Sequence, residues 1–84
     1  MKSVTLYSTD WCPYCKNAKA FLASKGVPFE EIDLTDDDDG RETLVQKTGR
    51  RTVPQMFVGD VHIGGYDDLR ALDARGQFMP LVQG

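Results

Sequence analysis

Only two of the 84 residues are cysteine, one is histidine and one is tryptophan. Two cysteines are too few for the disulfide framework that staples small secreted domains. Together with His62 they also fall short of the four ligands of an intrachain structural zinc site, so no metal site is expected. Positive charge is not in excess: 10 Lys and Arg stand against 13 Asp and Glu, a net charge of −3. A nucleic-acid binder would carry a basic patch or stripe, so no nucleic acid is expected as a partner, and no anionic membrane surface. No apolar run approaches the length of a transmembrane helix. The opening Met1-Lys2-Ser3-Val4-Thr5-Leu6-Tyr7 is too short and too polar for the apolar region of a signal peptide. Internal repeats and low-complexity linkers are missing too. These absences lead to the expectation of one domain over residues 1–84, monomeric and cytoplasmic. A domain of this size has a modest core and modest stability.

Periodicity supplies the elements. Val4-Thr5-Leu6-Tyr7 alternates apolar and polar and predicts a short strand. Thr9-Asp10-Trp11 reads as a loop. From Pro13 to Ser24, Cys15, Ala18, Phe21, Leu22 and Lys25 recur at helical steps. Pro13 suits the first turn, where a missing N–H costs nothing, and Gly26 ends the helix. Phe29 to Leu34 predicts a second strand, joined to the first by a right-handed crossover. Asp36 to Asp39 lead into a helix from about Gly40 to Thr48, with Leu44 and Val45 inward and Gly49 at its end. This acidic run lacks the spaced ligands of a calcium loop and suits a solvated helix start. Gln55-Met56-Phe57-Val58 and Val61-His62-Ile63 flank Gly59-Asp60, a two-residue hairpin signal. Asp67 or Asp68 is expected to cap a last main helix carrying Leu69 and Leu72, closed by Gly76. Phe78, Met79, Leu81 and Val82 are expected to dock the C-terminus as a short helix. The order β-α-β-α-β-β-α makes an α/β protein: a four-stranded mixed sheet flanked by three main helices.

The chemistry is expected at Cys12-Pro13-Tyr14-Cys15. A thiolate, not a thiol, is the nucleophile. Cys12 falls where a strand gives way to a helix, and free N–H groups at a helix start favour a thiolate. Shifting a thiol by two to three pKa units takes roughly 3–4 kcal/mol, while a helix dipole supplies about 0.3–1. Hydrogen bonds from loop N–H groups, from the Cys15 thiol and from Thr9 Oγ are therefore expected to do most of the work. Positions i and i+3 on a helix are neighbours, so Cys15 is placed to attack a mixed disulfide formed on Cys12. Cys12 is expected outward and Cys15 one turn in, more buried. A static bridge closing so short a loop would add little stability.

Four segments in this order resemble one family: Cys12-Pro13-Tyr14-Cys15, Thr52-Val53-Pro54, Gly64-Gly65-Tyr66-Asp67-Asp68-Leu69, and Leu72-Asp73-Ala74-Arg75-Gly76. Over nearly its whole length the chain resembles glutaredoxins, in particular the small bacterial dithiol type. The resemblance implies the thioredoxin fold, with glutathione as reducing co-substrate and no permanently bound cofactor. Disulfide-containing and glutathionylated proteins would be the other partners. It implies Cys12 as nucleophile and Cys15 as resolving thiol. It implies a cis Pro54, with the Val53 backbone offered to the cysteinyl part of glutathione beside Thr52. An exposed backbone edge pairs with an extended peptide as an added strand does. Gly65, Tyr66, Asp67 and Asp68 would receive the γ-glutamyl end, the helix amides taking its carboxylate and an Asp its ammonium. Tyr14 would flank the groove.

One departure stands out. Many members of that family carry a lysine three residues before the nucleophile, and Thr9 holds that place here. By family position Arg41 and Arg51 then become the candidate cations for the glycyl carboxylate, their plainer reading being solvated surface charge. Trp11 is thioredoxin-like, but Pro13-Tyr14 and Gly64-Gly65-Tyr66-Asp67-Asp68 are not; an electron donor served by thioredoxin reductase is a first alternative. An iron–sulfur carrier built from two chains is a second alternative, disfavoured by the stiff Pro13. His62 is expected to be structural or solvent-facing, and Met56, Phe57 and Ile63 to belong to the core.

Overall fold

A computed structural model describes all residues, 1–84. The chain runs β1 (Val4–Ser8), α1 (Pro13–Ser24), β2 (Glu30–Asp33), α2 (Asp38–Thr48), β3 (Gln55–Val58), β4 (Val61–Gly64), α3 (Tyr66–Ala74) and α4 (Phe78–Gln83). One sheet forms in the order β2-β1-β3-β4. β1 pairs parallel with β2, Leu6 opposite Glu31, and antiparallel with β3, Leu6 opposite Met56. β3 and β4 form the expected hairpin, with Gly59 at a positive φ of 57° in its turn. The register slips between Met56 and Phe57, leaving Ile63 as an extra residue on β4. No helix is long and apolar enough to cross a membrane.

Alternation along β1 sends Val4, Leu6 and Ser8 to one face of the sheet and Thr5 and Tyr7 to the other. On the first face Val4, Leu6, Met56 and Val58 meet Ala18 and Leu22 of α1, Leu69 of α3, and Phe78 and Val82 of α4. On the second face Phe57 packs with Leu34 and with Leu44 of α2, beside half-buried Tyr7 and Val53. The sheet is therefore sandwiched between helical layers, and α4 closes the larger core. The Lys2 N–H donates to Val82 O at 2.7 Å, tying the two ends of the chain together.

Three boundaries differ from those read in the sequence, each for a local reason. β2 is shorter than Phe29 to Leu34, because both of those residues turn into apolar clusters. α2 begins at Asp38 rather than Gly40, because the Asp37 carboxylate accepts the Gly40 N–H at 2.8 Å. Neither Asp67 nor Asp68 is the cap of α3. Gly65 holds that position, and the Asp68 carboxylate reaches back to accept its N–H at 2.9 Å.

Candidate active site

Cys12 is the residue on which α1 starts. Its backbone is extended (φ −92°, ψ 109°), and its Sγ accepts the Cys15 N–H at 3.1 Å. The sulfur thus does what a capping oxygen does at a helix start. Pro13, the first helical residue, has no N–H to compete for it. The same Sγ lies 3.5 Å from Val53 O, to which a protonated thiol donates. Both cysteines are free thiols. Cys12 is only 6% exposed and Cys15 not at all. Cys12 is therefore less outward than its place at a helix end suggests, because the loop before β3 lies over it.

Burial, and next the hydrogen bond with Cys12, push the Cys15 thiol up to about 12. The fold therefore favours the protonated form. Because the folded value lies above that of a free thiol, the stabilisation is complete below about pH 9. It is lost as pH rises from there towards 12. We expect the urea midpoint of the reduced protein to fall more steeply between pH 8.5 and about 10.5 than that of Cys15→Ala. Parallel curves for the two proteins would remove Cys15 from this account.

Beside Cys12 runs a groove of about 300 Å³. One wall is the loop from Arg50 through Thr52, Val53 and Pro54; the other is Gly65, Tyr66, Asp67 and Asp68, at the start of α3. Tyr14 lines it from α1, its ring 6.3 Å from that of Tyr66. The Val53–Pro54 peptide is cis. The Val53 N–H has no acceptor within the chain, so one backbone donor is left unpaired in the residue whose carbonyl meets the sulfur. Gly64, at φ 112°, leaves room for the Asp68 carboxylate, which a Cβ there would strike; a Cβ at Gly65 would meet Pro54 O at an ordinary 3.4 Å.

Arg41 and Arg51 do not line that groove but line an adjoining cavity of about 150 Å³, which shares Arg50, Thr52 and Val53 with it. Arg41 is committed within the fold. Its Nη1 donates to Leu34 O at 2.6 Å and Thr35 O at 2.8 Å, it pairs with Asp38, and its guanidinium lies 5.8 Å from the Trp11 ring. Arg51 is 77% exposed, outside this groove, with only a 3.7 Å approach to Glu42. Thr9 is buried behind Cys12, and its Oγ1 meets no partner. Its hydroxyl thus donates to neither sulfur; its backbone takes part instead, the carbonyl accepting the Cys12 N–H at 3.4 Å and a backbone hydrogen bond partly opposing the upward push on the Cys15 thiol.

Two residues of the site were not singled out in the sequence. Arg50 lines the groove and its Nη1 pairs with Asp68 Oδ2 at 2.7 Å. The guanidinium and the Gly65 N–H hold the Asp68 carboxyl below its ordinary range. Gln55 is fully buried; its Nε2 donates to Thr52 O at 3.0 Å while its Oε1 meets His62 Nε2 at 2.7 Å. This fixes the loop that carries Val53 and makes His62 structural. A buried amide opening a strand is the only signal the sequence gives of it.

A dithiol at the start of the first helix, facing a cis-proline loop across a mixed sheet of order β2-β1-β3-β4, defines a thiol–disulfide oxidoreductase of thioredoxin fold. The chain belongs to the glutaredoxin family, whose model matches residues 4–63. It is 49% identical to glutaredoxin 3 of Escherichia coli K12, over 99% of this chain and all of that one. It is 45% identical to a Pseudomonas aeruginosa glutaredoxin over 98% of each chain. Among solved structures, the buckwheat glutaredoxin–glutathione complex superimposes with a TM-score of 0.90 at 32% identity, covering 98% of this chain and 77% of that one. The solution structure of a Brucella melitensis glutaredoxin matches with a TM-score of 0.88 at 45% identity, covering 98% and 89%.

Proposed function

We propose that this chain reduces glutathione mixed disulfides through Cys12 alone and protein disulfides through Cys12 and Cys15 together, with glutathione as the electron source. The observation that carries this reading is the Cys12 sulfur at the Val53 carbonyl, with the Val53 N–H unpaired and Val53 itself lining the groove. The cysteinyl part of an extended glutathione pairs with Val53 as an added strand would, which brings its sulfur to Cys12. The buckwheat relative was solved with glutathione, which supports this choice of ligand. Thr52, Pro54 and Tyr14 flank the peptide, and the γ-glutamyl end lies towards Gly65, Tyr66, Asp67 and Asp68.

The step is thiol–disulfide exchange. The Cys12 thiolate attacks the glutathione sulfur of a mixed disulfide, and the protein thiolate leaves and takes up a proton. A second glutathione thiolate then attacks the glutathione sulfur bound to Cys12, releasing glutathione disulfide and restoring Cys12. In the dithiol route Cys15 attacks Cys12 instead, expelling the bound thiol and leaving a Cys12–Cys15 disulfide that two glutathiones reduce. At about 12, the Cys15 thiol is ionised to only about one part in 10⁵ at pH 7. Its hydrogen bond and charge contact with Cys12 contribute to that value. Both lapse once Cys12 is in disulfide linkage, so Cys15 becomes easier to ionise when it is needed.

The reading is tested by turnover of a glutathionylated peptide with NADPH, glutathione and glutathione reductase, against NADPH and thioredoxin reductase. We expect the glutathione-coupled rate to exceed the other by at least about tenfold, and the reverse order would overturn it. A protein kept reduced in this way fits a reducing compartment such as the cytoplasm.

A further inference from the structure

Arg50 is the only basic residue lining the groove, where it stands with two acids, Asp67 and Asp68. It leaves the chain just after Gly49, whose left-handed conformation (φ 73°) ends α2. Its backbone is held by Thr48, whose Oγ1 accepts the Arg50 N–H at 3.1 Å. From there the side chain spans the groove from the loop wall to the α3 wall, and the Arg50–Asp68 pair bridges the two. Asp68 is fixed from its own side by the Gly65 N–H. Only Nη1 of Arg50 has an acceptor. A guanidinium carries five N–H donors in a rigid fork, so most of this one is uncommitted.

The γ-glutamyl end of glutathione is a zwitterion, one carboxylate and one ammonium. Against Asp67 and Asp68 alone, its ammonium has a choice of partners, while its carboxylate has only the first amides of α3 and meets like charge from both acids. With Arg50 paired to Asp68 the balance changes: one acid, Asp67, is left exposed for the ammonium, and the free side of the guanidinium is left for the carboxylate. We infer that Arg50 is a specificity-determining residue that binds the α-carboxylate of the γ-glutamyl group while Asp68 anchors it. This rests on the proposed use of glutathione and deepens it. Arg41 and Arg51 line the adjoining cavity, whose walls include neither Asp67 nor Asp68.

The experiment compares single-turnover rate constants of the reduced protein on one peptide blocked as a mixed disulfide with glutathione, γ-glutamylcysteine or cysteinylglycine. Wild type is expected to prefer the two γ-glutamyl compounds to cysteinylglycine. In Arg50→Gln that preference falls about tenfold, the size of one lost charged hydrogen-bonded contact. Arg50→Lys, which keeps the charge without the fork, retains part of it. Three results overturn the inference: all three rates falling together, which makes Arg50 merely structural; a faster γ-glutamyl rate in Arg50→Gln, which makes it a competitor for Asp68; or a loss that follows the glycyl group. Wild type treating the three substrates alike would instead sink the glutathione reading, and the inference with it.

Discussion

Cys12→Ser is expected to fold normally and to lose both reductase activities, by at least about 10³-fold, because a serine hydroxyl is not an exchangeable sulfur. Serine is a favoured capping residue, and its oxygen can take over the Cys15 N–H that the sulfur now accepts. The thermal midpoint should therefore hold or rise while activity vanishes. Cys15→Ser should separate the two routes. Reduction of a glutathionylated peptide stays within about twofold of wild type, since glutathione itself resolves the intermediate. Reduction of an intramolecular protein disulfide falls by about two orders of magnitude, since the mixed disulfide has no internal thiol to expel it. The glutathione-coupled assay on wild type and both variants reads all of this out. Equal losses in Cys15→Ser would remove the division of labour.

Phe78→Ala should produce the largest loss of stability. Phe78 is fully buried, its ring 5.9 Å from that of Phe21, in the cluster where α4 closes over β1, β3, α1 and α3. Phe→Ala in a packed core costs about 3–5 kcal/mol. At about 0.05–0.15 kcal/mol per residue, a chain of 84 residues is stabilised by roughly 4–13 kcal/mol. The variant should thus lose roughly a quarter or more of its stability, seen as a lower urea midpoint at nearly unchanged slope. A change within 1 kcal/mol would mean that α4 frays from the core.

The sequence revealed its elements where periodicity and punctuation agree. β1, α1 and the β3–β4 hairpin lie within a residue or two of their expected bounds, because alternation, Pro13 and Gly59-Asp60 each act locally. The α3 cap was misread because Asp67, Asp68 and Gly65 are all acceptable at a helix start, and a capping carboxylate can reach back three residues. The two arginines show the same limit at the site. Arg50 and Arg51 are adjacent, and successive side chains of an extended segment point to opposite sides. The fold turns Arg50 into the groove beside Asp67 and Asp68, and places Arg51 with Arg41 in the adjoining cavity. Arg41 could not be judged from sequence either, because its acceptors Leu34 O and Thr35 O come together with it only when α2 packs beside the end of β2.

The open edge formed by β2 has a colloidal consequence. An unpaired strand edge is a template on which another copy of a chain can grow. Here that edge is four residues long, reads Glu30-Glu31-Ile32-Asp33, and is largely exposed. Two copies laid edge to edge along β2 would set carboxylates against carboxylates, a repulsion that the Lys19 partner of Glu31 relieves only in part. Above the carboxylate range this edge therefore resists fibre growth. Ser8 and Lys19 hold the Glu31 carboxyl below its ordinary range and Thr35 does the same for Asp33, so this protection persists well into acid.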